Sequence, residues 1–196
     1  LEMEKMFRDC VLPLLRKKFP GLDAGQGLVA KLVGISEPSV MAKLGKDLFS
    51  VPLDFGIYPE PGQVTLRIQP GRRKDLPFLR KKMIRGLKDY IYAWEDKTLA
   101  AVLGELLVSR KQTLAVCESC TGGYLSSQIT LVPGCSRYFR GGIIAYADDM
   151  KSAMLSVSPV LLKSRGAVSM AVAKRLAQSV KNKFGSDFGI GVTGIA

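Results

Sequence analysis

The chain has 196 residues, of which 47% are hydrophobic and 23% are charged, a composition typical of globular proteins rather than of disordered or fibrous ones. Its 29 basic and 17 acidic side chains give a formal net charge of +12, and it contains no histidine. A chain without histidine has no Ser-His-Asp triad and no histidine-ligated metal. Any general base must therefore be a lysine, a tyrosine, a carboxylate or a thiolate.

The sequence carries no signal-peptide pattern and no apolar run of the roughly 18 residues that a membrane helix needs. We therefore expect a cytoplasmic protein that does not enter a membrane and whose four cysteines remain thiols. The chain starts at Leu1 rather than at a methionine and stops soon after a predicted buried strand. We also expect it to be a fragment of a longer protein.

The first half of the chain predicts a small α+β unit with the order β-α-β-β-α. A short helix over residues 5–19, broken by Pro13, precedes this unit and ends before Pro20. Apolar spacing and turn residues then predict strands over 28–35, 54–58 and 64–68, a helix from the cap Ser36 to Leu44, and a helix over 75–92.

The second half predicts a three-layer α/β/α domain, because helices and strands alternate along it. A stripe of leucine and valine from Leu99 to Leu107 has helical spacing, and Ser169 is placed to cap a helix that ends near Phe184. The other predicted elements are strands over 113–117, 142–146 and 187–193 and helices over 121–130 and 148–155.

The turn after the strand 113–117 carries the strongest chemical signal. Ser119 lies where the strand ends, and the predicted helix begins at once with Cys120, Thr121, Gly122 and Gly123. The free N–H groups of these four residues would face an anion or an oxyanion. The turn resembles a nucleophile elbow without the G-x-S-x-G pattern, and a capping serine before a glycine-rich helix start explains the same residues.

Two other features favour different functions. Cys117 and Cys120 have the spacing of a redox pair or half of a zinc site, but no second pair accompanies them. Residues 72–88 contain eight basic side chains against the single acid Asp75, which suits nucleic acid, although such a helix is usually a solvated face. For residues 25–95 we favour a structural or interaction module over a nucleic-acid-binding one.

Residues 118–123, Glu-Ser-Cys-Thr-Gly-Gly, resemble the E-S-C-T-G-G signature of the CinA carboxy-terminal domain, the nicotinamide mononucleotide amidase family. Residues 132–136, 141–146, 166–169 and 192–196 are similar to further motifs of that family, and residues 58–67 resemble the end of its KH-like linker domain. The resemblance implies the tail of a molybdopterin-binding-like domain over 1–24, a KH-like α+β linker domain over 25–95, and a truncated amidase domain over 96–196.

The family hydrolyses the carboxamide of nicotinamide mononucleotide to nicotinate mononucleotide and ammonia with a Ser–Lys pair and without a metal or cofactor. The resemblance implies that Ser119 is the nucleophile, Lys151 the base and Tyr146 an assisting hydroxyl. The substrate-binding residues that it implies are Glu118, Cys120, Thr121, Gly122, Gly123, Thr193 and Gly194.

The chain departs from the family pattern at three places. Asp148 stands where the family has asparagine, Cys117 replaces the usual alanine, and the chain ends at Ala196 where the family continues into residues that help to hold the nucleotide. We therefore expect weak or no amidase activity from this polypeptide alone. Its expected partners are the small nucleotide substrate and further copies of itself in a homo-oligomer.

Overall fold

The structure, a computed structural model, describes residues 2–19 and 27–195. The predicted turn at Pro20, the predicted boundary between residues 24 and 25, and Ala196 lie outside these residues. The chain divides into two compact units, Leu1–Lys97 and Thr98–Ala196. Over the described ranges, no helix is both long and apolar enough to span a bilayer.

The described part of the first unit begins with one helical segment rather than a broken helix. Helix α1 (Glu2–Met6) continues through a π-helical turn (Phe7–Val11) into helix α2 (Leu12–Lys18). The π-helical turn directly precedes Pro13, which lies in the first turn of α2. A proline there has no N–H to give to the preceding turn, so a local change of hydrogen-bond pattern accommodates it without ending the helix.

The remainder of the first unit is a four-stranded antiparallel sheet with two helices. Its strands lie in the order β2-β3-β1-β4, so the chain runs β-α-β-β-α-β as in ferredoxin-like folds. The structure does not show the KH-like arrangement predicted for residues 25–95. The elements are β1 (Leu28–Val33), α3 (Glu37–Leu44), β2 (Leu53–Glu60), β3 (Gln63–Pro70), α4 (Leu76–Leu87) and β4 (Ile91–Ala93).

The helix predicted over 75–92 is wrong at its end. Helix α4 stops at Leu87, and Ile91 begins strand β4, which pairs with β1 through Leu32. In the sequence, Ile91 extends the four-residue spacing of the apolar residues of α4. In the structure it follows the turn at 88–90 and packs on the same core as part of strand β4. Periodicity alone cannot separate these two arrangements, because both bring an apolar side chain back to one face.

The core of the first unit lies between one sheet face and the two helices. Alternate residues of the central strands, such as Leu32 and Leu66, are completely buried against Leu44, Leu79 and Met83. The opposite sheet face is polar, and it carries ion pairs from Lys31 and Arg67 to Asp96. Part of the basic surface of α4 is also engaged, because the Arg80 guanidinium lies 4.9 Å from the centre of the Trp94 ring.

The second unit is a three-layer α/β/α arrangement, as predicted. Its parallel sheet has the order β6-β5-β7, with β5 in the centre. Helices α5 and α6 cover one face around Val116 and Ile129, and α7 to α9 cover the other around Ala115 and Leu176. The elements are α5 (Leu99–Ser109), β5 (Leu114–Glu118), α6 (Tyr124–Thr130), β6 (Phe139–Ile144), α7 (Asp148–Leu155), α8 (Pro159–Arg165), α9 (Met170–Phe184) and β7 (Phe188–Gly191).

Three details of this unit differ from the sequence expectation. Helix α8, which was not predicted, is a short helix capped by the Ser158 hydroxyl, too short to show a periodic apolar stripe. Strand β6 begins at Phe139 and ends at Ile144 instead of covering 142–146. Helix α6 begins at Tyr124 rather than Thr121, because residues 119–123 form a separate turn.

Two glycines allow α9 to pack closely against β7. A Cβ atom on Gly189 would collide with the Ala177 carbonyl of α9, and one on Gly191 would collide with the Ala173 carbonyl. The close helix–strand contact thus depends on the absence of side chains at alternate positions of β7.

The buried Leu66 provides a test of the first core. Replacing Leu66 by alanine leaves a cavity in the central strand, and we expect the free energy of unfolding of this unit to fall by about 2–5 kcal/mol. Trp94, the single tryptophan of the chain, packs against this core and reports its unfolding by fluorescence in urea. The control substitution Ile84→Ala, on the exposed side of α4, should change the free energy of unfolding by less than about 0.5 kcal/mol. Equal effects of the two variants would contradict the assigned core.

Candidate active site

The candidate site lies at the carboxyl ends of β5 and β6. The helix after β5, α6, covers one face of the sheet, whereas the helix after β6, α7, covers the other. A crevice opens between two neighbouring parallel strands whose connections leave on opposite faces, and open α/β sheets bind ligands there. The Ala145 N–H donates to the Glu118 carbonyl at 2.9 Å, which holds the two chain segments together just before they diverge. Ser119 and Tyr146 are the next residues on the two sides of this crevice.

Ser119 is positioned by the end of the central strand and is 5% exposed. The two residues before it point to opposite faces: Cys117 packs in the core under α7 and α9, and Glu118 faces α6. The described residues provide no hydrogen-bond partner for the Ser119 hydroxyl.

The Glu118 carboxylate is completely buried and accepts four hydrogen bonds. Oε1 accepts from the Ser126 N–H at 2.8 Å and the Ser126 hydroxyl at 2.7 Å, and Oε2 accepts from the N–H groups of Leu125 at 2.9 Å and Gly123 at 3.2 Å. The resemblance implied that Glu118 binds substrate. In the structure both of its oxygens bind the turn and the first residues of α6 instead.

The pKa of Glu118 is lowered from its ordinary value. Burial acts in the opposite direction and raises this pKa, but the hydrogen bonds from Ser126 and the Leu125 N–H, together with the nearby Thr121 hydroxyl, favour the charged form more strongly. The Thr121 hydroxyl oxygen is buried and forms no hydrogen bond within the described residues.

The turn after Ser119 has two free N–H groups rather than the four predicted. The Gly122 N–H donates to the Ser119 carbonyl, and the Gly123 N–H donates to Glu118. The N–H groups of Cys120 and Thr121 have no acceptor within residues 2–19 and 27–195. The Cys120 N–H directly follows Ser119, the position whose N–H contributes to the oxyanion hole of a nucleophile elbow.

Lys151 lies in α7 and is 2% exposed, an unusual burial for a lysine. Its Nζ donates to the Tyr146 carbonyl at 2.6 Å and to Asp148 Oδ1 at 3.1 Å. The charge of Lys151 also lowers the pKa of the Cys117 thiol, against the larger effect of burial. The structure therefore brings Lys151 to the Tyr146 side of the crevice, without a hydrogen bond to Ser119 among the described residues.

The remaining predicted residues differ in their surroundings. The Tyr146 side chain is 67% exposed, and its carbonyl rather than its hydroxyl contacts Lys151. Gly194 follows β7 and lies against the Cys120 sulfur, since a Cβ on Gly194 would come within 2.9 Å of Sγ. The Thr193 hydroxyl donates to the Ala167 carbonyl at 2.9 Å, which ties the segment after β7 to the loop before α9.

Sequence reasoning missed Ser126, which supplies two of the four donors to Glu118. Its position eight residues after Glu118 gives no local signal, because only the turn brings the two together. Gly142 on β6 makes room for it: a Cβ there would lie 2.8 Å from the Ser126 hydroxyl oxygen. Gly142 belongs to the motif at 141–146, but the sequence alone does not indicate that this glycine makes room for Ser126.

The four cysteines are free thiols. The pKa of the Cys117 thiol is raised to about 11, mainly by burial. The charge of Lys151 lowers this pKa and the charge of Glu118 raises it, both by smaller amounts. Over the part of the chain that the structure describes, no three cysteines or acidic side chains are grouped so that they could hold a metal ion.

The fold and the site together define a three-layer α/β/α unit that carries a serine at the end of its central strand and a buried lysine beside it. The sequence model of the CinA C-terminal domain matches residues 96–196, just over half of the chain, and the chain belongs to this family.

Comparison with curated proteins gives relatives along the whole chain. A protein of Moorella thermoacetica named "Putative competence-damage inducible protein" is 38% identical over 201 residues, which cover 100% of this chain and 49% of that protein. A "CinA-like protein" of Thermosynechococcus vestitus is 37% identical over 204 residues, covering 100% and 48%. The chain thus spans about half the length of these curated relatives.

A solved structure from Escherichia coli, described as a protein of the competence-damaged protein (CinA) superfamily, is also similar. It is 30% identical over 45% of this chain and 52% of that chain, with a TM-score of 0.45.

The pKa of Glu118 predicts a pH-dependent effect of its substitution. In Glu118→Gln one oxygen becomes an amide NH₂ that faces N–H donors, and we expect the second unit to lose about 2–3 kcal/mol of stability at pH 7. A lowered pKa in the folded state means that the stabilisation is complete above about pH 4.5, the ordinary value, and is lost as the pH falls through the lower folded value. The unfolding of the second unit, which contains no tryptophan, is followed by calorimetry. The difference in unfolding free energy between Glu118→Gln and the wild type should become smaller as the pH is lowered. A difference that is independent of pH would contradict a charged Glu118.

The cysteines provide a second test. At pH 8 we expect Ellman's reagent to titrate Cys10, Cys120 and Cys135 in the folded chain, and Cys117 only after denaturation, because Cys117 is fully buried and its pKa is about 11. Fewer than four thiols after denaturation would indicate a disulfide and would support the redox alternative.

Proposed function

We propose that the second unit hydrolyses the carboxamide of a pyridine nucleotide, with nicotinamide mononucleotide as the substrate. One observation supports the proposal: Ser119, at the end of the central strand, is followed by two N–H groups without acceptors among the described residues, and the neighbouring strand leads through Tyr146 to the buried Lys151. Family membership and the motifs at 118–123 and 141–146 support the same reaction.

Lys151 is the base in this proposal, and its neutral form must be reached from the ion pair that its amine makes with Asp148 at 3.1 Å. A neutral lysine has two N–H hydrogens and one lone pair. The Tyr146 carbonyl and the Asp148 carboxylate accept two hydrogens, so the lone pair of the neutral form is free to accept the proton of Ser119. The charged form carries that proton as a third hydrogen. The absence of histidine from the chain makes lysine the most suitable base in this crevice.

In the proposed reaction, Ser119 Oγ attacks the amide carbon and its proton passes to Lys151. The N–H groups of Cys120 and Thr121 donate to the oxyanion that forms. The C–N bond then breaks, the leaving nitrogen takes the proton from Lys151, and ammonia departs. Water attacks the resulting ester, with Lys151 again accepting a proton, and releases the carboxylate product and Ser119.

A groove of about 730 Å³ between α7 and α8 borders Asp148, the ion-pair partner of Lys151, and its volume is within the range of small-molecule sites. Its charged lining residues are Asp148, Asp149 and Lys163.

The proposal is tested by product formation from nicotinamide mononucleotide at enzyme concentrations equal to the substrate, so that slow turnover is visible. We expect nicotinate mononucleotide and ammonia in equal amounts from the wild-type chain. Ser119→Ala should slow the reaction at least ~1,000-fold and Lys151→Ala ~100- to 10,000-fold. The matched control Lys174→Ala, an exposed lysine of α9, should leave the rate unchanged. Turnover that is retained in Ser119→Ala would overturn the proposal, whereas a weak wild-type rate agrees with the low activity expected of this polypeptide alone.

A further inference from the structure

Glu118 is a buried acid that does not fit the role of a substrate ligand. Its carboxylate is shielded from solvent, and its four donors all come from within eight residues along the chain. Three of these donors are backbone N–H groups and the fourth is the Ser126 hydroxyl. A buried carboxylate is retained only where such donors replace its water shell.

The donors that Glu118 uses determine which N–H groups remain free. It takes the N–H of Gly123, Leu125 and Ser126, while the Gly122 N–H closes the turn on the Ser119 carbonyl. The N–H groups of Cys120 and Thr121 are left without acceptors. Glu118 directly precedes Ser119 in the chain, and its carboxylate binds the residues that follow Gly122. It therefore holds both ends of the segment that carries the two free N–H groups.

The conformation of this segment needs such support. Gly122 and Gly123 both have positive φ angles, 57° and 102°, and Gly123 lies at the start of α6. Without the carboxylate, the Gly123, Leu125 and Ser126 N–H groups would need other partners in a buried place, and the segment would rearrange to reach water.

We propose that Glu118 is the positioning residue of the reaction: by holding the start of α6, it aims the Cys120 and Thr121 N–H groups at the oxyanion formed on Ser119. It does not touch the substrate. The inference rests on the proposed amide hydrolysis. It also explains why the acid directly precedes the nucleophile, since alternation along β5 sends it to the α6 face while Ser119 stays at the crevice.

A role in positioning the oxyanion donors predicts a specific kinetic effect. Those donors act on the transition state more than on the bound substrate, so misplacing them lowers kcat and leaves KM nearly unchanged. For Glu118→Gln we expect kcat to fall ~100- to 1,000-fold, the range for loss of one oxyanion donor, with KM within about threefold of the wild type. Ser126→Ala, which removes one donor and keeps the backbone ones, should have a much smaller effect.

A control variant of similar stability distinguishes a positioning role of Glu118 from a merely structural one. Val172 of α9 is completely buried in the core on the sheet face opposite α6, and Val172→Ala should lower the stability of the second unit without changing kcat. If Val172→Ala and Glu118→Gln lower kcat equally while both are folded, Glu118 only stabilises the unit and the inference is wrong. If Glu118→Gln does not fold, Glu118→Asp, which keeps the charge but shortens the reach, is measured instead. It should show the same split between kcat and KM.

The outcomes separate this inference from the proposed function. If Ser119→Ala retains turnover, the proposed function itself is wrong. If Ser119→Ala abolishes turnover but Glu118→Gln keeps the wild-type kcat, the reaction stands and the positioning role is overturned. A fall in kcat for Glu118→Gln at constant KM, absent in Val172→Ala, supports both.

Discussion

The second unit is organised around one buried charge. Glu118 has no water to solvate it, and the nearby backbone must therefore supply its hydrogen bonds. That requirement dictates the turn of residues 119–123, the late start of α6 at Tyr124, and the approach of Ser126 to the glycine at position 142 of β6. The same requirement leaves two N–H groups beside Ser119 unused. A stabilising feature and a chemically reactive feature thus have a single physical origin.

The parallel sheet determines what can meet that turn. Because the helices after β5 and β6 pack on opposite faces, the carboxyl ends of these two strands are the place where the chain separates and a ligand can enter. Lys151 reaches this place from the first turns of α7, and its burial is tolerated because a carbonyl and a carboxylate accept its hydrogens. After β7, Thr193 is bonded to the Ala167 carbonyl, and Gly194 lies against the Cys120 sulfur beside the turn.

The sequence allowed good predictions where a local pattern and tertiary packing agreed. Helix α7 has the predicted bounds, and Ser169 caps α9 by accepting the Val172 N–H. Prediction failed where the deciding contact was distant. Ile91 continued a helical spacing but belongs to a strand that pairs with β1, and this pairing also turns the first unit into a ferredoxin-like fold. Likewise, four free N–H groups were expected after Ser119, and Glu118, together with the Ser119 carbonyl, takes two of them.

The assignment of roles in the candidate site followed the motif, and the structure sorts those residues by what they touch. Glu118 binds the backbone, Lys151 binds a carbonyl and a carboxylate, and the Ser119 hydroxyl has no hydrogen-bond partner among the described residues. These distinctions depend on burial and on hydrogen bonds between segments, and a motif does not record either of them.

The proposed reaction depends on an ester between Ser119 and the acyl group of the substrate. Acid quenching of the chain during reaction with nicotinamide mononucleotide, followed by peptide mapping, detects this ester. We expect the peptide containing Ser119, and no other, to gain the mass of the nicotinate mononucleotide acyl group, and we expect the adduct to decay as product appears. Product formation with no adduct on that peptide, or with the adduct on Cys120, would contradict it.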